Sequence, residues 1–179
     1  MINKNLKVLF LGNKQAGLIA LLTLGAFGCE ICGVITQDER IMKVAHLLQL
    51  SSFSSFRDNG VECIVKDCHL IVSVHNKEIL PKDFLILAKY GGINVHPCLN
   101  KYKGKDTIKR MLKDKTGIAS VGVHWMTERV DEGDIIIEEY VEVSKCHTVN
   151  DVYNELYPYY SVALIGAINN VINAIKGKE

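Results

Sequence analysis

Gly-Gly-Ile-Asn-Val-His-Pro, residues 91–97, is the stretch that decides how the chain folds and where its chemistry lies. The two glycines mark the entry to a short strand, and Pro97 ends the strand because proline cannot donate to a sheet ladder. Residues two apart on a strand share a face, so Asn94 and His96 point the same way. They lie at the carboxyl end of the strand, where open α/β sheets bind their ligands.

A third polar residue, Asp131, lies in a polar turn between the apolar runs 121–123 and 135–137. If these runs form neighbouring strands, the Asp131 carboxylate comes close to the His96 imidazole. An amide, an imidazole and a carboxylate in one crevice can polarise a carbonyl, move a proton and orient the imidazole. The sequence therefore predicts a site that contains Asn94, His96 and Asp131.

Strand and helix patterns alternate along the chain, which is typical of an α/β fold with a largely parallel sheet. The predicted strands are 6–11, 31–36, 61–65 at an edge, 70–74, 91–96, 119–125 and 135–143. The predicted helices are a stretch from Leu18 that ends at Gly25 to Gly28, then 38–50, 81–89, 106–113 and 148–176. Pro158 is expected to kink or split the last helix, since proline interrupts the hydrogen-bond ladder of a helix.

Composition describes a single domain over residues 1–179. A hydrophobic content of 48% and a net charge of +1 give no electrostatic case for nucleic-acid binding. No apolar run reaches the ~20 residues that span a bilayer, and the start lacks the apolar region of a signal peptide, so a cytoplasmic location is predicted. The six cysteines are expected to be free thiols, because Cys29 and Cys32 are three apart on a predicted strand and face opposite ways.

The chain resembles the folate-dependent formyltransferases in four segments that occur in the same order: Asn94-Val-His96, Lys101-Tyr-Lys-Gly104, Val121-Gly-Val-His124 and Val130-Asp-Glu-Gly133. The family pattern is Asn-x-His, Tyr-Arg-Gly, a strand ending in His, and an Asp seven residues later that is closely followed by Gly. Lys103 replaces the usual Arg. The resemblance covers roughly residues 6–143 and implies a Rossmann-like formyltransferase fold, with a mostly parallel twisted sheet and helices on both faces.

The resemblance also implies roles for particular residues. In the family the Asn polarises the formyl carbonyl, the His assists proton transfer and the Asp orients the His; these are Asn94, His96 and Asp131 here. The implied co-substrate is N10-formyltetrahydrofolate, and no metal is implied. Its expected contacts are Lys77, Glu78, Ile79, Leu80, Val130, Glu132, Gly133 and Asp134. The expected contacts of the acceptor substrate are Gly12, Asn13, Lys14, Tyr102, Lys103 and Gly104.

The remaining histidines are expected to be supporting residues. His124 lies on the strand that leads to Asp131, and structural support of the site is its expected role. The other four are expected to be structural or surface residues: His46, His69, His75 and His147.

The predicted function is transfer of a formyl group to the primary amine of a small molecule. The chain ends about where the catalytic domain of the family ends, without the basic domain of methionyl-tRNA formyltransferases, so no nucleic acid is expected as a partner. The loop 12–17 lacks the Gly-x-Gly-Ser-Asn form with which glycinamide ribonucleotide formyltransferases hold a phosphate. The acceptor is therefore open between glycinamide ribonucleotide and a nucleotide-linked amino sugar, and the oligomeric state is open as well.

Two other functions fit the same residues. A non-catalytic folate- or nucleotide-binding module would keep the fold, although burying three idle polar groups would cost stability. A 10-formyltetrahydrofolate hydrolase would use a similar triad, although the chain has no N-terminal regulatory domain of the kind those enzymes carry.

Overall fold

A computed structural model describes residues 6–177 as a seven-stranded sheet with helices on both faces. The strands are β1 (Lys7–Gly12), β2 (Glu30–Ile35), β3 (Ser52–Phe53), β4 (Leu70–Val74), β5 (Gly92–Pro97), β6 (Ile118–Trp125) and β7 (Ile135–Glu142). The helices are α1 (Lys14–Phe27), α2 (Glu39–Leu47), α3 (Val61–Asp67), α4 (Lys82–Leu85), α5 (Thr107–Lys113) and α6 (Val149–Lys176).

The strand order is β3-β2-β1-β4-β5-β6-β7. The pairs from β3 through to β5 are parallel, whereas β5–β6 and β6–β7 are antiparallel. The predicted mostly parallel Rossmann-like sheet is confirmed, and β7 follows β6 without an intervening helix. The carboxyl ends of β1, β4 and β5 consequently meet at one edge.

The two faces of the sheet bury different helices. Residues of α1, α2, α5 and α6 pack with Val8, Phe10 and Val72 on one face. The smaller core on the other face joins α3 and α4 to Leu9 and Ile71. The alternation follows from the two-residue period of a strand, and burial on both faces explains why the central strands are almost continuously apolar.

The prediction of an edge strand at 61–65 is wrong, because these residues form helix α3 and the edge strand is β3. Val61 and Val65 are the buried residues of α3, and a spacing of four fits one face of a helix as well as the ends of a short strand. Lys66 and Glu62, also four apart, form an ion pair with a 2.6 Å N–O distance.

Two predicted helices differ in extent. Pro81 is the N-cap of α4, which is four residues long and gives way to turns before Gly91, instead of a helix over 81–89. Helix α6 is not split: it is continuous although it contains Pro158. Its buried stripe, which includes Leu156, Tyr160 and Leu164, spans the proline, so packing against the sheet holds both halves in one helix despite the lost hydrogen bond.

All six cysteines are free thiols in the part of the chain that is described. Within the same residues, no helix combines the length and apolar character that crossing a membrane requires.

Candidate active site

Strand β5 carries the first two site residues. Asn94 pairs with Ser73 of the parallel neighbour β4 and with His124 of the antiparallel neighbour β6, and His96 pairs with Gly122 of β6. Gly122 is sterically required, because a Cβ there would come within 2.6 Å of the Leu99 side chain. The sheet therefore fixes where the amide and the imidazole stand.

Asp131 joins these side chains from the turn between β6 and β7. It is 7% exposed and its φ of +56° lies in the left-handed region. Oδ1 lies 3.4 Å from Asn94 Nδ2 and 3.4 Å from His124 Nε2. Oδ2 lies 3.1 Å from His96 Nε2 and accepts the Gly104 backbone N–H at 2.8 Å. The predicted residues thus come together around one carboxylate.

The backbone of Gly104 contacts both His96 and Asp131. Its carbonyl lies 3.1 Å from His96 Nε2, while its N–H donates to Asp131. Gly104 has a φ of +79°, a conformation that glycine adopts without cost. Tyr102 is buried and donates its hydroxyl to Asp114 at 2.8 Å, so it holds the loop. Lys103 is exposed.

The hydrogen-bond partners assign opposite ring nitrogens in the two site histidines. His96 Nε2 faces two acceptors, the Gly104 carbonyl and Asp131, so it carries the hydrogen; Nδ1 is buried and has no hydrogen-bond partner among the described residues. His124 Nδ1 lies 2.8 Å from the Trp125 carbonyl and donates to it. In the neutral ring, His124 Nε2 then accepts from Asn94 Nδ2 at 3.2 Å.

Burial and charge set the protonation of the cluster. Burial lowers the pKa of His96 below its ordinary value, and the neighbouring Asp131 charge offsets only part of this effect. For Asp131, burial acts to raise the pKa, but the contact with His124 Nε2, which becomes a hydrogen bond when that ring is protonated, the His96 charge and the Gly104 N–H together bring the pKa below its usual value. At neutral pH the arrangement holds a carboxylate beside a neutral imidazole.

A cavity of about 730 Å³ lies between α4 and the turn that carries Asp131; Glu132, next to Asp131, lines it, whereas Asn94, His96 and Asp131 do not. Leu85 and Met126 line it, and both lie against Gly92. Gly92, Asn94 and His96 share one face of β5, so the cavity lies along the same face as the cluster. Its volume falls in the range of about 300–1,000 Å³ that small-molecule sites occupy.

Of the residues expected to contact folate, Glu132 lines this cavity, whereas the segment 77–80 lies outside its lining. Glu78 is tied down by Ser55 Oγ at 2.7 Å and by Arg57 at 3.1 Å. Ile79 is exposed, whereas Leu80 is buried in the core. Asn76 donates to the Glu78 carbonyl at 2.7 Å. Lys77 is exposed beside them.

In the turn between β6 and β7, Glu132 lines the cavity and Val130 is 54% exposed. The Asp134 carbonyl accepts from Trp125 N at 3.0 Å. A Cβ at Gly133 would overlap the Trp125 carbonyl. The turn therefore lies tightly against the end of β6.

The loop after β1 uses its polar groups internally. Asn13 is buried; its Nδ2 donates to the His75 carbonyl at 3.4 Å and its Oδ1 accepts from Gln37 N at 3.0 Å. Lys14, with a φ of +62°, donates its backbone N–H to Asp38 Oδ2 at 3.0 Å. A Cβ at Gly12 would meet the Phe10 ring. This loop joins β1 to β4 rather than reaching into the cluster around Asp131.

Sequence reasoning missed the place of His75, which was expected to be a structural or surface residue. Its Nε2 lies 2.8 Å from the hydroxyl of Tyr160 on α6. No local pattern relates positions 75 and 160, so only the folded chain could reveal this pair. Among the residues described, no group of three or more His, Cys, Asp or Glu side chains is placed to hold a metal ion.

Known proteins resemble this chain in sequence and in fold. The formyl transferase family model matches residues 22–168. The methionyl-tRNA formyltransferase of Alkaliphilus oremlandii is 32% identical over an alignment that covers 95% of this chain and 62% of that enzyme. The enzyme of Pelotomaculum thermopropionicum is 28% identical over 84% of this chain and 54% of its own length. The chain thus spans about half to three-fifths of these relatives.

Two solved structures share the fold. A phosphoribosylglycinamide formyltransferase from Anaplasma phagocytophilum matches with a TM-score of 0.79 and 22% identity, over 95% of this chain and 88% of that one. A formyltetrahydrofolate deformylase from Pseudomonas syringae pv. tomato also matches with a TM-score of 0.79, at 18% identity, over 94% of this chain and 61% of that one. With the family match over most of the sequence, the chain belongs to the formyl transferase family.

Proposed function

We propose that this chain transfers a formyl group from N10-formyltetrahydrofolate to the primary amine of a small molecule. The observation that carries the proposal is the contact of Asn94, His96 and Asp131, and a cavity of about 730 Å³ is lined by Glu132, the residue after Asp131. An amine that attacks a formyl amide must lose a proton, and the formyl oxygen gains negative charge. The cluster offers a group for each change.

His96 is the proposed proton acceptor. Its Nε2–H is held by Asp131 and the Gly104 carbonyl, which leaves the lone pair on Nδ1. The lowered pKa keeps the imidazole neutral at neutral pH. Nδ1 is buried, so the ring must turn toward the substrate for this lone pair to reach the amine. When His96 takes up the proton, the Asp131 carboxylate lies 3.1 Å from the new cation and stabilises it. The formyl C–N bond of the donor then breaks, and His96 returns the proton to the leaving nitrogen, so the imidazole is neutral again at the end of the transfer.

Asn94 is the proposed donor to the formyl oxygen. Its Nδ2 has a 3.2 Å contact with His124 and a longer 3.4 Å contact with Asp131. The longer hydrogen bond is the weaker one, so its hydrogen is the one that can turn toward an oxygen on which charge develops. His124 holds the other hydrogen and keeps the amide in this orientation.

The residues beside the cavity fit a folate. Leu85 and Met126 give it apolar walls. In the adjoining segment Asn76 Oδ1 is buried and has no hydrogen-bond partner among the described residues, which is costly unless a donor arrives. A pterin ring carries N–H groups that would satisfy such an atom. The bound folate supplies the activated formyl group, and Lys77–Leu80 with Val130–Asp134 are the proposed contacts.

We propose a small-molecule acceptor, no nucleic-acid partner and a cytoplasmic reaction. The near-neutral charge supports the absence of a nucleic-acid partner, since phosphate-backbone binding requires clustered positive charge. The relatives that are named methionyl-tRNA formyltransferases make charged tRNA the acceptor to test against. The fold shared with a formyltetrahydrofolate deformylase makes water the other acceptor to test against.

The deciding experiment mixes the protein with N10-formyltetrahydrofolate, with and without a panel of primary amines, and follows tetrahydrofolate by absorbance and formate separately. Amine-dependent release without formate is the expected result. Equal formate release without amine would make the protein a hydrolase. Thermal stabilisation by folate analogues without turnover would make it a binding module, and formylation of charged initiator tRNA would overturn the small-molecule acceptor.

A further inference from the structure

His75 directly follows β4, on the side of β5 opposite to β6 and the turn that carries Asp131. The neighbours of β4 are β1 and β5. The His75 carbonyl accepts a hydrogen bond from Asn13 in the loop after β1. The charges of Lys14 and His96 act on its ring and lower its pKa. Its backbone is in the left-handed region, with a φ of +51°, which costs free energy for a histidine and is maintained by the surrounding structure.

Tyr160 fixes which nitrogen of His75 carries the hydrogen. The Tyr160 side chain is fully buried, and His75 Nε2, at 2.8 Å, is its only hydrogen-bond partner within residues 6–177. If Nε2 donated, the tyrosine hydrogen would be left buried without an acceptor, which costs about 1–3 kcal/mol. The hydroxyl therefore donates to Nε2, and the neutral ring carries its hydrogen on Nδ1.

The Nδ1–H of His75 is available to a ligand. The His75 side chain is partly exposed, and its Nδ1 has no hydrogen-bond partner among residues 6–177. The ring edge is held by Tyr153, whose centroid lies 5.8 Å away. Burial, with smaller contributions from Lys14 and His96, lowers the pKa of His75 to about 4, so the group is a neutral donor at neutral pH.

At the start of α1, where free backbone N–H groups could bind an anion, a carboxylate of the protein already accepts the first N–H. The first backbone N–H of α1, that of Lys14, donates to Asp38 Oδ2, and the same carboxylate accepts from Arg40 N at 3.0 Å. The hydrogen bonds from Arg40 hold the pKa of Asp38 at about 2, so its charge persists at all physiological pH values. A phosphate brought to the start of α1 would meet this carboxylate.

We propose that His75 binds the acceptor through an uncharged oxygen, a carbonyl or a hydroxyl, that lies close to the reacting amine. The proposal rests on the proposed function, because it places the acceptor on the His75 side of His96. A neutral N–H donor pairs with such an oxygen without requiring charge, while Asp38 disfavours a phosphate at the neighbouring loop. The acceptor class is therefore a primary amine with an adjacent amide, ester or hydroxyl oxygen.

The first test reads the ring directly by ¹⁵N NMR of histidine-labelled protein. We expect His75 to be neutral with its hydrogen on Nδ1 at pH 7, and we expect Tyr160→Phe to mix the two tautomers. Glycinamide, which has a carbonyl beside its amine, should shift the Nδ1–H signal, and ethylamine should not. An Nε2–H tautomer, no shift with glycinamide, or a larger shift with 2-aminoethyl phosphate would overturn the proposal whether or not the protein is a transferase.

The second test separates binding from chemistry by kinetics with glycinamide as the acceptor. One lost hydrogen bond of ordinary strength predicts a KM for glycinamide raised roughly five- to ten-fold in His75→Ala, with kcat and folate affinity little changed. His75→Asn should restore part of the KM, because asparagine keeps an N–H near the Nδ1 position and tolerates the left-handed backbone. The exposed His147 gives the control variant His147→Ala. An unchanged KM in His75→Ala, or no rescue by asparagine, would remove His75 from the acceptor site.

Discussion

His96 lies near the end of β5 and His75 directly follows the neighbouring parallel strand β4, yet their surroundings assign the hydrogen to opposite nitrogens. His96 has two acceptors at Nε2, so Nδ1 is its free base. His75 has a buried hydroxyl at Nε2, so Nδ1 is its free donor. A neutral imidazole therefore offers a base when its other nitrogen donates to an acceptor, and a donor when its other nitrogen accepts from a hydroxyl. The predictions below test that contrast, in order of decreasing expected effect.

The largest effect is expected at His96. Replacing it by alanine removes the proposed base, and general-base catalysis contributes about 10²–10⁴ in rate. We expect kcat of His96→Ala to fall by that order while folate-induced thermal stabilisation persists, as measured by steady-state kinetics and thermal shift. The matched control is His69→Ala at a histidine outside the site, whose kcat should be unchanged. A kcat within a few-fold of the parent in His96→Ala would refute the assigned mechanism.

Asp131→Asn should come next, with a loss in kcat of about 10²–10³, which is the usual cost of one lost electrostatic partner in a transition state. The amide can still accept the Gly104 N–H and donate to His124 Nε2, so the turn should remain folded. It cannot stabilise the cation on His96 after proton transfer. Combined with His96→Ala, it should add little further loss, because the two residues act as one unit. Full additivity in kcat would show that Asp131 acts independently.

The contrast between the two histidines also separates what the sequence predicts from what it does not. The meeting of Asn94, His96 and Asp131 was predictable because Asn94 and His96 share one face of a strand and Asp131 lies in the turn between the two strands that come next in the chain. The His75–Tyr160 pair joins a loop to a helix 85 residues later, and no local pattern encodes such a contact. The failed prediction at 61–65 has a related cause: two buried valines four apart fit a helix as well as a strand.

His75 should also give the protein a pH-dependent stability that His96 alone does not account for. Its pKa is about 4 in the folded chain and 6.5 as the ordinary value, so the unfolded chain binds the proton more tightly. The associated stability is complete above pH 6.5 and is lost as pH falls from 6.5 toward 4. Lys14 and His96 oppose protonation in the fold, and Tyr153 and Tyr160, which also face the ring, stay neutral there.

His75→Asn removes the group that titrates. Urea denaturation of the parent and the variant at pH 7.5 and pH 4.5 gives the free energy of unfolding of each protein at each pH. We expect the parent to lose about 2 kcal/mol more than the variant between the two pH values, since one pKa unit corresponds to about 1.4 kcal/mol. His96, with its lowered pKa, contributes to both proteins and cancels in the difference. Equal losses in parent and variant would show that His75 is not buried as a neutral group.

The smallest expected effect concerns the peptide unit that ties His96 to Asp131. Gly104 and Gly60 have φ values of +79° and +91°, and a Cβ at either would meet no described atom within 4 Å. Alanine at each position should therefore lower the free energy of unfolding by only about 1 kcal/mol, the cost of holding a residue with a Cβ in the left-handed conformation. Gly60 lies at the start of α3, away from the cluster, so Gly60→Ala should leave kcat unchanged.

Gly104→Ala should lower kcat several-fold in addition, because relaxing its φ moves the N–H that Asp131 accepts and the carbonyl that orients His96. Equal kcat values in the two variants would show that the Gly104 peptide closes the loop without positioning the base, and the tautomer of His96 would then rest on Asp131 alone.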